Sequence, residues 1–260
     1  MKIAILTLFP EMFTGILTNS IVKRAIAKNV VEIEIVDIRK YTLDKHFRVD
    51  SPPVGGGAGL IMKCQPIVDA LNSLENKETA NKILLAPTGK IFNQDKTKKL
   101  VEINQDIVLI CGHYEGIDER INDYVDETIS LGDYILSGGE IGAMAITDAI
   151  VRLLDGAISS DSIVEESFEN FLLEYPQYAE PHNFEGNLIP DILYSGNHTA
   201  IRKWRRKESL RRTKELRPDL FAKIKLTKED ISLLKEIDEG IEEPKWLKAA
   251  IEKGHKFIKK

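Results

Sequence analysis

Short apolar runs alternate with helical patterns over about the first 155 residues, and that alternation leaves few folds open. Residues 2–8 read as a buried strand, 11–29 as a helix and 31–38 as a strand with alternating side chains. A long connection follows, carrying Pro52-Pro53 and the run Gly55-Gly56-Gly57-Ala58-Gly59, before residues 65–74 resume a helical pattern. Residues 82–86 predict a strand closed by Pro87 and Gly89, 93–101 a helix, and 106–111 a strand closed by Gly112. Strand, helix, strand in repetition predicts an α/β architecture: a parallel sheet flanked by helices on both faces.

The pattern changes in the second half. Residues 141–154 predict one more helix, with small residues at Gly142, Ala143, Ala145 and Ala149 that would permit close approach of another helix, including one from a second subunit. From 155 to 169 Ser, Asp and Glu dominate and read as a mobile linker. Helical patterns return near Asn197 and continue past Trp246. The expected division is therefore a sheet domain over 1–158, a flexible linker over 159–173 and a small α-helical domain over 174–260.

Composition narrows the class of partner. With 260 residues and 43% hydrophobic content the chain can bury one sizeable core and a smaller second one. The first apolar run is too short to span a bilayer and stops at Pro10 and Glu11, with no cleavage signal behind it, so a cytoplasmic protein without a membrane is expected. Two cysteines, Cys64 and Cys111, fit a reducing compartment, and neither stands in a metal-binding cluster. The net charge of −5 argues against a uniformly basic nucleic-acid binder but leaves room for a local basic patch.

Two glycine-rich turns close apolar runs about twenty residues apart: Cys111-Gly112-His113-Tyr114-Glu115-Gly116, and Leu131-Gly132-Asp133-Tyr134-Ile135-Leu136-Ser137-Gly138-Gly139-Glu140. Such turns let a ligand approach bare backbone, where N–H and C=O groups can grip an adenine edge and a ribose. Other nucleotide signatures fail on spacing. The 55–59 glycines lie in a long loop instead of joining a strand directly to a helix. Thr88-Gly89-Lys90 lacks the earlier glycine of a phosphate loop, and Ile91 stands where a magnesium-binding hydroxyl belongs.

These residues carry a family resemblance. GHYEGIDER, SLGDYILSGGE, LLEYPQY and SGNHTAIRKWR, with LFPEMF and the GGG loop before them, resemble in one order the bacterial tRNA (guanine-N1)-methyltransferases, which modify guanine 37 beside the anticodon and so support reading-frame maintenance. The resemblance spans nearly the whole chain. It implies a SPOUT-class domain with a deep trefoil knot at its C-terminal end, a homodimer with the active site at the subunit interface, tRNA as substrate and S-adenosylmethionine as methyl donor. It also implies a divalent cation, magnesium, for which no ligand cluster is legible.

Carried over position by position, the donor pocket would include Pro87, Gly112, Tyr114 and Glu115, with Leu131, Gly132, Asp133, Tyr134, Ile135, Leu136, Gly138 and Gly139 as its second wall. Methylating guanine N1 requires a base for its proton and positive charge near O6, where electrons accumulate as the proton leaves. The resemblance gives the second role to Arg152, which on spacing alone reads as an exposed ion pair with Asp148. It gives the first to Glu166, where the family typically has Asp before Ser-Phe; Glu165 beside it is a substitute. Val54, Ala58 and Gly142 also depart from the family pattern, at positions that usually hold Tyr, Pro and Pro.

A concentrated basic segment supplies the last element. Arg202, Arg205, Arg206, Arg211 and Arg212 lie in a short stretch with Lys203, Lys207, Lys214 and Arg217, opposed within it only by Glu208 and Glu215. This predicts a localised phosphate-binding face for RNA, with Trp204 as a core anchor. His198 caps the helix start or touches RNA. A rival reading, a non-catalytic tRNA-binding module, would keep this segment and lose the donor turns.

Overall fold

The computed structural model describes residues 1–158 and 167–258, which belong to two compact units that divide near residue 160. The first unit runs β1 (Lys2–Thr7), α1 (Thr14–Thr18), α2 (Ser20–Ala27), β2 (Glu32–Asp37), β3 (Asp50–Ser51), β4 (Ile61–Met62), α3 (Cys64–Asn72), β5 (Asn81–Ile91), α4 (Gln94–Ile103), β6 (Ile107–Cys111), β7 (Glu127–Ser130) and α5 (Glu140–Leu153). Five strands make one sheet in the order β2-β1-β6-β5-β7, with each neighbouring pair parallel. Successive side chains enter opposite layers. Ile3, Ile5, Ile83 and Leu109 pack with Val22 and Ala25 of α2 and Ile146 and Ile150 of α5. Ala4, Leu6, Leu84, Val108 and Ile110 pack with Ile67, Ala70 and Leu71 of α3. Burial on both faces explains why these strands read as unbroken apolar runs.

Two sequence expectations are corrected here. The helix expected over 11–29 is broken: a 3-10 turn at Pro10–Phe13 precedes α1, and α2 opens at Ser20, itself at φ +54°, after Asn19 in extended conformation. The Asn19 amide donates to the Gly15 carbonyl at 2.9 Å, a local side-chain bond that competes with helix continuation. The strand expected to stop at Pro87 and Gly89 instead continues to Ile91, with a register shift between Leu85 and Lys90 against β7. Pro87 sits in that irregularity, where no regular ladder bond is required of it. A Cβ at Gly89 would lie 2.5 Å from the Ile129 backbone, so glycine here permits two strands to touch.

The second unit contains the short pair β8 (Asn183–Phe184) and β9 (Asn187–Leu188), then α6 (His198–Leu216), α7 (Pro218–Phe221), α8 (Lys228–Asp238) and α9 (Lys245–Ile258). Trp204 and Ala200 of α6 pack with Ile192, Leu247 and Ala250, and Leu210 packs with Leu172, Leu233 and Leu234. The start of α8 is fixed by a reciprocal cap between Thr227 and Asp230. Part of the expected linker, 159–166, lies outside the described residues. Its last two residues are held: Leu172 is buried, and the Leu173 amide donates to the Thr213 hydroxyl at 2.9 Å.

Candidate active site

Both glycine turns leave the C-terminal ends of parallel strands, β6 and β7, where ligands bind in open α/β sheets. They meet directly. The Gly139 amide donates to the Gly112 carbonyl at 2.7 Å, and His113 bridges Gly138 in antiparallel fashion. At this junction Glu140 opens α5 with its carboxylate inside the protein, 1% exposed. The Thr7 hydroxyl at the end of β1 donates to one Glu140 oxygen at 2.9 Å, and His113 Nδ1 lies 3.7 Å from the other. The His113 ring is 4.8 Å from Phe9 and 4.9 Å, edge-on, from Tyr114. One buried carboxylate thus ties together the end of β1, the first turn and the start of α5.

The glycines do two different jobs. A Cβ at Gly138 would fall 2.3 Å from Glu140 Oε2 and 2.4 Å from His113 Nδ1; one at Gly139 would fall 2.8 Å from Cys111 Cα. These two are small because chain packs on chain. Gly116, at φ +133°, has open space around its would-be side chain, and Tyr114 adopts φ +60°, a left-handed conformation that costs a non-glycine residue about 1–2 kcal/mol. The 55–59 loop also reaches the site: the Glu115 side chain occupies the space a Cβ on Gly59 would need, and the Glu115 amide donates to the Leu60 carbonyl at 3.1 Å.

Most side chains of the two turns stand open to solvent. Pro87, Tyr114, Glu115 and Asp133 are exposed, as are Tyr134, Leu136 and Ile135, the last by 85%. Leu131 and Gly132 are half-buried, and the Ser130 hydroxyl and Gly132 bond each other across 3.2 Å, which shapes the entry to the second turn. Apolar side chains beside bare backbone can sandwich a base, and two exposed carboxylates can accept from ribose hydroxyls. Neither cysteine is placed to act as a nucleophile: burial pushes the Cys111 thiol well up, Glu140 adding to it, and burial also raises that of Cys64.

Arg152 is half-buried in the last turn of α5, the helix that starts at this junction. Glu165 and Glu166 lie outside the described residues. Among the described residues no group of three His, Cys, Asp or Glu side chains could hold a metal ion.

In the second unit the basic residues of α6 have unequal surroundings. Arg202 is exposed, and the Arg205 guanidinium lies 4.5 Å from the Tyr175 ring centre. Arg206 makes a two-pronged pair with buried Asp230 at 2.7 and 2.9 Å. Arg211 pairs with Glu208 at 3.4 Å, and Arg212 donates to the Glu174 carbonyl at 3.4 Å. Lys207 is 2% exposed and donates to Glu236 and to the Ile241 carbonyl. The acidic partners on α8 were invisible to a count confined to the basic segment. His198 does not cap α6; Asn197 does, accepting from the Ala200 amide at 3.2 Å.

The family model described as tRNA (Guanine-1)-methyltransferase TrmD matches residues 1–223, which takes in both turns, Arg152 and the whole of α6. The chain belongs to this family. Proteins named tRNA (guanine-N(1)-)-methyltransferase from Clostridium beijerinckii and Clostridium perfringens are 52% and 53% identical to it over 236 residues, 90% of this chain and 98% and 99% of theirs. One of the same name from Clostridium botulinum is 50% identical over 242 residues, 93% of this chain and 100% of its own. This TrmD-family chain is accordingly a methyltransferase enzyme, and the non-catalytic rival loses its ground. The family's activity implies a methyl donor. No helix among the described residues is long and apolar enough to cross a membrane.

Proposed function

We propose that this chain transfers a methyl group from S-adenosylmethionine to N1 of guanine 37 in tRNA, beside the anticodon, as a cytoplasmic homodimer. The observation that carries the reading is the junction of the two glycine turns at the sheet's C-terminal edge, tied by Gly112 and Gly139 and held from below by Glu140. When bound, S-adenosylmethionine supplies an electrophilic methyl on a sulfonium. Tyr114, Glu115 and the 131–139 turn would hold and orient it, mostly through main chain. A trefoil knot formed in the first unit is consistent with segments packed so tightly that Gly89, Gly138 and Gly139 cannot carry a side chain. Exposed Ile141 on α5, with Tyr134 and Ile135, suits a subunit contact.

The proton chemistry falls to other residues. Guanine N1 is a poor nucleophile while protonated, because its lone pair is committed to the ring. Glu166, with Glu165 as the substitute, takes that proton, and the Arg152 guanidinium stabilises the negative charge that develops at O6. Arg202, Arg205 and their neighbours on α6 hold the tRNA backbone, releasing counterions as they do so. Calorimetric titration with S-adenosylmethionine tests the donor half: one saturable site is expected, with ATP and NAD giving no heat. Absence of binding would contradict the assignment of the turns.

A further inference from the structure

The second unit holds a cavity of about 690 Å³ that the methyl-transfer chemistry does not use. Its lining runs from Tyr175 to Arg205 and lies wholly within that unit, so it contains neither the donor turns nor Arg152. Its chemistry is mixed in a particular way. Tyr178 is exposed, with its ring centre 6.5 Å from that of Trp204. The Arg205 guanidinium lies 4.5 Å from the Tyr175 ring centre, a cation over an aromatic face, and Arg202 and His198 stand exposed at the start of α6. The acidic member of the lining, Glu180, already accepts a hydrogen bond from the Tyr194 hydroxyl at 3.0 Å.

We infer that this cavity is a nucleotide subsite, which takes an unstacked tRNA base other than the methyl-accepting guanine and places its phosphate near Arg202. The inference rests on the proposal that tRNA is the substrate. Aromatic faces beside guanidinium planes receive splayed single-stranded bases, whereas a duplex phosphate track needs only a row of cations. Volume supports the same choice, since small-molecule pockets span roughly 300–1,000 Å³. The subsite would let the second unit read the loop's shape and not only its charge.

The test uses the full-length protein and tRNA transcripts that carry 2-aminopurine singly at each anticodon-loop nucleotide. One position other than the acceptor is expected to change its emission on binding, and Tyr178→Ala should abolish that change. The same variant should weaken tRNA binding roughly tenfold to hundredfold, as for a lost base–aromatic stack, while Tyr178→Phe restores both. Thr199→Trp, at an exposed position on the rim, should block the cavity with the same result and without removing a packed group. Unchanged affinity and unchanged emission in both blocking variants would overturn the inference. So would an effect confined to the acceptor position, or weakened self-association with RNA affinity intact. Failure of the wild-type protein to bind any transcript would instead remove the tRNA reading itself.

Discussion

The amide of Gly139 donates to the carbonyl of Gly112 at 2.7 Å, so two turns whose bonded residues are 27 apart in sequence are a single structure. Gly139 has no room for a side chain, because a Cβ would sit 2.8 Å from Cys111 Cα and 3.0 Å from the Gly112 amide nitrogen. Gly139→Ala should therefore cost about 1–3 kcal/mol of stability and displace both donor turns. Gly142→Ala is the contrast: its Cβ would meet Leu85 Cδ1 at 3.4 Å, and helix propensity favours alanine, so a net change within about 1 kcal/mol is expected. Thermal melting with donor titration separates the two; equal losses would show that the junction is not special.

Thr7 and Glu140 join β1 to α5 through a buried hydrogen bond of 2.9 Å. Thr7→Val keeps the shape and leaves a buried carboxylate oxygen short of a partner, at a cost of about 1–3 kcal/mol. Because Glu140 braces the turns proposed to hold the donor, the kinetic effect should fall on the KM for S-adenosylmethionine, with kcat largely kept. A fall in kcat at unchanged KM would move Glu140 into the chemical step.

Arg152→Ala should lower turnover ~100-fold or more if its guanidinium meets charge forming at O6, as for a lost oxyanion donor. Glu166→Gln should cost ~10²–10⁴ in rate. A larger loss from Glu165→Gln would move the base by one residue. Single-turnover rates at saturating donor and tRNA make the comparison, and near-normal turnover of Arg152→Ala would remove it from the mechanism.

Arg206 and Arg202 lie one helical turn apart on α6 and should behave differently. Burial pushes the Asp230 carboxyl up, but hydrogen bonds from Arg206 and Thr227 outweigh it, so Asp230 titrates below its ordinary value of 3.8. The stability this contributes is complete above pH ~4 and is lost as pH falls through the depressed value. Arg206→Ala should cost roughly 2–3 kcal/mol, allowing for the partial exposure of the guanidinium, and should blunt that acid sensitivity. Arg202→Ala should leave melting unchanged, weaken tRNA binding and reduce its salt slope by about one. Acid titration of the melting temperature and salt-dependent binding report each; a reversed pattern would contradict the division.

Much of the sheet was legible because strands buried on both faces, such as Ile3 to Leu6 and Ile107 to Cys111, leave short apolar runs whose length and bounding turn residues mark them as strands. The extension of β5 through Pro87 and Gly89 was not, since a proline–glycine pair signals termination unless the neighbouring strand is known to approach Gly89 closely. The two glycine turns were legible as motifs, but the packing that requires Gly138 and Gly139 was not. Their missing side chains make room for Glu140, His113 and Cys111, not for a ligand alone. Thr7 escaped notice altogether, because its hydrogen bond to Glu140 crosses 133 residues of sequence. The pairing of Arg206 with Asp230 was illegible for the same reason, because Asp230, 24 residues on, is not in its own helix.

The most direct measurement is incubation of the protein with methyl-labelled S-adenosylmethionine and an unmodified tRNA transcript, followed by mapping of the labelled nucleotide. The account requires one methyl on N1 of guanine 37, and none on a transcript with another base at that position. Label at a different nucleotide or atom, or undiminished labelling of the substituted transcript, would contradict it.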